Sequence, residues 1–180
     1  MQTIKLSLNK MPSIGLLCIT LLFSTITCAD NFDASDIELY QAKKVDPTTL
    51  SAGQPSEQAL TELANKGLVN VINLRGEGEF DGFDEAKLVN SLNMSYQSLP
   101  IAGAADINFE NAAKLDAMLN VSNQPTLVHC GSGNRVGALM ALSHYAKNGD
   151  LEQALKVGRD AGMTRLEDKV VEVIELKEAK

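Results

Sequence analysis

The chain has 180 residues, 44% of them hydrophobic, with 23 acidic against 16 basic side chains and a formal net charge of −7. That length suits one hydrophobic core and is short for two. An acidic surface repels polyanions and excludes a general nucleic-acid binder, although a local cluster of donors still holds a small phosphorylated molecule at contact range.

The first residues read as an export signal. Lys5 and Lys10 precede an apolar stretch from Ile14 to Ile26, and Thr27-Cys28-Ala29 offers a small-residue cleavage site, so residues 1–29 are expected to be removed. The apolar stretch is short for a membrane span, and no stop-transfer charges follow it. The expectation is a periplasmic or secreted protein with no stable membrane association. Cleavage takes two of the 16 basic residues and none of the 23 acidic ones, leaving a net charge of −9. It also removes Cys18 and Cys28, so Cys130 is the one cysteine of the mature chain. An intramolecular disulfide is then impossible. A lone thiol in an oxidising compartment is a liability, explained either by burial or by chemistry.

Residues 30–36 form a polar lead-in, and residues 37–180 the single expected domain. Leu39 to Val45 and Thr49 to Ala52 are predicted as short strands. Gly53-Gln54-Pro55-Ser56 turns the chain, and Ser56 caps a helix with Ala59, Leu60, Leu63 and Ala64 on one face, ended by Gly67. Leu68 to Leu74 is apolar enough for a strand covered on both faces. A Gly- and acid-rich loop, 76–82, leads to a helix over Phe83 to Leu92, and Met94 to Leu99 is the next strand, stopped by Pro100. A helix then starts near Ile107, with Ala112, Leu115, Met118 and Leu119 inward. Pro125 to His129 is a short strand running into the segment at Cys130. The helix from Asn134 to Lys147 is apolar nearly all round, as a central buried helix is, and Asn148-Gly149 ends it. Asp150 with Gln153 opens a further helix ended by Gly162, and Thr164 with Glu167 opens the last. Alternating strands and helices predict an α/β domain with a mostly parallel sheet.

The chemistry is concentrated in His129-Cys130-Gly131-Ser132-Gly133-Asn134-Arg135. A strand, a Gly-rich turn and a helix N-terminus together aim backbone N–H groups at one point, which makes an anion site. Gly131 and Gly133 let the backbone approach the anion, and Ser132 and Asn134 complete the cradle. Arg135 folds back to hold two oxygens with its planar fork. A thiolate at the mouth of such a cradle is stabilised by the same donors, so Cys130 is the candidate nucleophile.

The loop resembles that of cysteine-dependent phosphatases of the protein-tyrosine-phosphatase superfamily, in which His-Cys opens and Arg closes the phosphate cradle. Ser51-Ala52-Gly53-Gln54-Pro55, then Val71-Ile72-Asn73-Leu74-Arg75 with Glu79, then Cys130 to Arg135 resemble the bacterial beta-lactamase-hydrolase-like phosphatase family over roughly Leu39 to Ile174. The resemblance implies a phosphatase-like three-layer α/β fold and a cysteinyl-phosphate mechanism without a cofactor. Cys130 would attack phosphorus, Arg135 and the loop amides would hold the equatorial oxygens, and an acid would protonate the leaving oxygen. The expected partner is a phosphorylated small molecule or phosphoprotein. The loop departs from tyrosine phosphatases in having four residues between Cys and Arg instead of five, and Val136 where they carry Ser or Thr. Rhodanese-like sulfurtransferases share the four-residue spacing, but usually continue with a strand and a Gly-Gly segment near an aromatic residue. This chain continues with capped helices and has no Trp. A phospho-ligand binding module without turnover is the alternative outside enzymes.

Asp106, between a strand and a helix, is the first candidate for the acid, with a helix-capping role beside it. Asp81, Asp84 and Glu79 are the fallbacks. Arg75 leaves a strand at the carboxyl edge, where open α/β sheets bind ligands, either to contact substrate or to pair with Glu77 or Glu79. His129 is expected to orient the loop and support the thiolate. His144 lies roughly 13 Å along the helix from Arg135 at 1.5 Å per residue, too far to act with it. Two histidines so placed and one cysteine predict no metal site.

Overall fold

The structure, a computed structural model, describes residues 32–121 and 123–179, so the expected signal segment lies outside the described residues. Five strands, β1 (Lys43–Lys44), β2 (Thr49–Ala52), β3 (Asn70–Asn73), β4 (Ser95–Ser98) and β5 (Thr126–His129), form one sheet in the order β1-β2-β5-β3-β4. Only β1 is antiparallel; the other pairings are parallel. Six α-helices accompany them: α1 (Glu57–Asn65), α2 (Glu85–Ser91), α3 (Phe109–Asn120), α4 (Asn134–Asn148), α5 (Leu151–Asp160) and α6 (Glu167–Glu178).

Strand periodicity explains the three layers. Successive side chains of β3 and β5 face opposite sides, so Val71 and Leu127 join Leu60, Leu63 and Val89 from α1 and α2 in one core. Ile72 and Val128 join Leu115, Leu139, Leu142, Ala154, Val170 and Ile174 from α3 to α6 in the other. Both central strands are therefore apolar on both faces, as parallel strands under helices are. Helix α4 runs through the second core with Val136, Ala138, Leu139, Ala141 and Leu142 fully buried.

Glycine sets the closest helix contact. A methyl group on Gly137 would lie 2.8 Å from Cβ of Met163 and would also meet the Gly158 carbonyl oxygen and the Met163 nitrogen. This approach carries the segment after α5 over the start of α4, next to the Cys130 loop.

Three expectations need correction. The strand predicted over Leu39 to Val45 is reduced to the two exposed residues of β1, because only Lys43 and Lys44 pair with β2. Helix α3 starts at Phe109, just after the expected start near Ile107, and its cap is Asn108, whose side chain accepts from Asn111 N–H, not Asp106, which ends a 3-10 turn over Ala104–Asp106. Helix α6 begins after Leu166 without a side-chain cap. Thr164 does not cap it; its N–H and its hydroxyl both donate to Asn134 Oδ1, at 2.7 and 3.4 Å, which ties it to the start of α4. Ser56 on α1 and Asp150 on α5 cap as expected.

Candidate active site

The loop from Cys130 to Arg135 leaves the carboxyl end of β5, the central strand, and runs directly into α4. Cys130 N–H donates to Ala52 C=O, and Gln54 N–H donates to Gly131 C=O, so the segment after β2 holds the loop from one side. On the other side, Leu74 N–H donates to His129 C=O. Gly133 takes φ +78, a left-handed conformation favouring glycine, and gives α4 an N-terminus with no side-chain cap. Among the described residues, the N–H groups of Ser132, Asn134 and Arg135 donate to no protein acceptor. Orphan first-turn amides at an uncapped helix start make an anion site.

Arg135 folds back over this loop as expected. Its Nη1 donates to Glu79 Oε2 at 2.7 Å and to Ile101 C=O at 2.6 Å, and its Nη2 reaches Glu79 Oε1. The guanidinium is thus held in a fixed plane by a two-point pair. The hydrogen bond from Arg135 holds the Glu79 carboxyl below the usual carboxylate range, against the opposing effect of burial. The same bond raises Arg135, which burial opposes and the nearby Cys130 charge reinforces. Cys130 is fully buried at the foot of the loop. The same loop borders a cleft of about 550 Å³ lined by Ser132, Asn134, Arg135, the 76–79 loop, the 102–104 loop, Arg165 and Leu166, and Cys130 itself is not among its lining residues.

The supporting residues fall out differently from their sequence reading. Arg75 does not reach this cleft and does not pair with Glu77 or Glu79. It is buried, bonds Asn73 Oδ1 through its own N–H and Nε, pairs with Glu85, and stacks 4.5 Å over the Phe80 ring. Glu85 is the residue that sequence reasoning missed. Its carboxylate also lies 2.6 Å from Nε2 of fully buried His129. His129 is therefore held from β3 and α2 directly behind Cys130. A first-turn acid in a short helix carries no signal that it points inward.

Asp106 sits at the end of the 3-10 turn, its Oδ2 accepting from Ala102 N–H at 2.8 Å and Gly103 N–H at 3.3 Å. The carboxylate ties down the loop that forms one cleft wall and does not itself line the cleft. Of the fallback acids, Asp84 caps α2, Asp81 lies outside the cleft lining, and Glu79 is committed to Arg135. Asn134 Oδ1 accepts from Thr164 N–H and Arg165 N–H, bringing Arg165 to the cleft rim, a position no spacing in the sequence announces. His144 lies on the far side, beside Asn148. Among the described residues, no group of three His, Cys, Asp or Glu side chains converges as metal ligands would.

Comparison with solved structures decides the fold. A DUF442 candidate phosphatase from Shewanella putrefaciens superposes with a TM-score of 0.58 at 24% identity, covering 78% of this chain and 90% of that one. A candidate phosphatase from Neisseria meningitidis gives 0.62 at 14% identity, covering 74% and 98%. Kinase associated phosphatase, with its catalytic-site cysteine replaced by serine, gives 0.59 at 15% identity, covering 82% and 97%. The chain has the phosphatase-like α/β fold. No protein-family model matches, and no curated protein matches.

Proposed function

We propose that the protein is a cysteine-dependent phosphatase that hydrolyses phosphate monoesters through a cysteinyl-phosphate intermediate. The observation that carries the reading is the uncapped start of α4, whose free amides and Arg135 follow directly on buried Cys130 in one loop. Sγ of Cys130 attacks phosphorus, the bond to the ester oxygen breaks, and the leaving oxygen takes a proton. Water then attacks the phosphocysteine, releasing phosphate and regenerating the thiolate. Loop amides and Arg135 stabilise the charge that grows on the equatorial oxygens at each step. His129, fixed by Glu85, positions the loop. Kinase associated phosphatase, which shares this fold, has a cysteine in its catalytic site.

Asp106 is the proposed leaving-group acid. Its role requires the 102–106 loop to give up its two amide bonds so that the carboxyl reaches the cleft. Asp106→Asn is therefore expected to slow alkyl phosphates by about a hundredfold and aryl phosphates with good leaving groups far less. Equal losses on both classes would remove Asp106 from that role.

A paired assay tests the reading as a whole, with an aryl phosphate in one arm and thiosulfate plus cyanide in the other. Phosphate release that disappears in Cys130→Ser supports the phosphatase. Thiocyanate formation without phosphate release would assign the short loop to sulfur transfer instead.

A further inference from the structure

The chain has four arginines, and three of them hold a carboxylate: Arg75 with Glu85, Arg135 with Glu79, and Arg159 with Glu167. Arg165 holds none among the described residues, in a chain with 23 acidic side chains. The location of this unpaired guanidinium is specific. Arg165 lines the cleft that contains Arg135, Ser132 and Asn134. Its backbone is anchored there as well, since Asn134 Oδ1 accepts Arg165 N–H at 2.9 Å across 31 positions of chain. The first residue of α4 thus fixes the main chain of the second cation beside the loop that cradles the first anion. Glu77 and the Arg135-bound Glu79 also line this cleft.

We infer that Arg165 is a specificity-determining residue that binds a second anionic group, so that the preferred substrate is a phosphate monoester carrying a further phosphate or carboxylate. The inference deepens the phosphatase reading and rests on it for the position of the first anion. The reacting phosphoryl group sits at the α4 amides, and the second anion extends toward Arg165. Glu77 disfavours negative charge beside itself, which leaves Arg165 as the cation of the lining that no carboxylate already holds. A guanidinium meets either a phosphate or a carboxylate with the same two-point fork, which leaves the chemistry of the second group to be separated by measurement.

Binding to the full-chain Cys130→Ser protein is the test, because it needs no turnover. Inorganic phosphate serves as the one-anion probe, and pyrophosphate and phosphoglycolate as the two-anion probes. Each two-anion probe that Arg165 accepts is expected to bind at least about tenfold tighter than phosphate, the value of one good charge-assisted contact. Adding Arg165→Ala should collapse that ratio toward one, and Arg165→Lys should keep part of it. Arg159→Ala removes the same charge at a site paired with Glu167 and should leave the ratio in place. Preference for pyrophosphate alone would name a phosphate as the second group; preference for phosphoglycolate alone would name a carboxylate. A ratio unchanged by Arg165→Ala, no preference before mutation, or no binding of any probe overturns the inference. Tight two-anion binding through Arg165, in a wild-type protein that releases no phosphate from any monoester, would sink the phosphatase reading and leave Arg165 as a second-anion contact of a binding site.

Discussion

At the scale of single residues, two carboxylates do most to define the site, and they do so in different environments. Glu79 is partly exposed and grips Arg135, which keeps its carboxyl below the ordinary range. A carboxyl depressed in the folded state adds stability above its unfolded pKa, and the addition is lost as pH falls through the folded value. Glu79→Gln should therefore destabilise the fold at pH 7 by at most about 1 kcal/mol once solvent screening is counted. The gap from wild type should close only as pH falls through the depressed folded-state value, below the ordinary carboxylate range. Melting curves across pH 3 to 8 check this, and a gap that persists at low pH would assign the loss to packing. Glu85 is buried between Arg75 and His129. Glu85→Gln leaves the Arg75 charge uncompensated and should cost about 3 kcal/mol in denaturant unfolding. Adding Arg75→Met should recover part of that loss, since the two residues act as a pair. Recovery of nothing would mean that His129, not Arg75, is what Glu85 supports. Cys130, Arg135 and the loop glycines could be nominated from the sequence because their spacing is local. Glu85 and Arg165 were not, since each reaches the site through a contact between elements distant in the chain.

At the scale of elements, the apolar runs, the Ser56 and Asp150 caps and the terminating glycines placed α1, α4, α5, β3 and β5 correctly from sequence. The errors came where tertiary contacts outbid local signals. Thr164 and Glu167 have the spacing of a capping box, yet Asn134 takes the Thr164 N–H, so α6 starts without that cap. Asp106 looked like the start of a helix, yet its carboxylate serves Ala102 and Gly103 while Asn108 caps α3. The crossing of α4 with α5 depends on a residue that helix propensity alone would replace. Alanine normally stabilises a helix interior relative to glycine by about 1 kcal/mol. At Gly137 the added methyl group meets Gly158 and Met163, so Gly137→Ala should instead destabilise by about 1–3 kcal/mol. Urea unfolding measures the sign, and a gain in stability would show that the segment at Met163 shifts at no cost.

At the scale of the molecule, the sheet order puts β5 between β2 and β3, so the loop after β5 is held from both sides before α4 begins. The two cores on either face need no disulfide; among the described residues Cys130 is the only cysteine, and it is spent on the site. The alternation of strand and helix was enough to predict this architecture, because parallel sheets leave few ways to cover both faces. Export remains a proposal carried by residues 1–29, and finding the cellular N-terminus at Met1 would overturn it. No helix among the described residues is long and apolar enough to cross a membrane. The central claim is that Cys130 carries the phosphoryl group, and the most direct measurement is an acid quench of wild-type protein during turnover of a radiolabelled aryl phosphate. Peptide mapping should place the acid-stable label on the peptide containing Cys130, with no label in Cys130→Ser. Label on another residue, or phosphate release that persists in Cys130→Ser, would contradict the account.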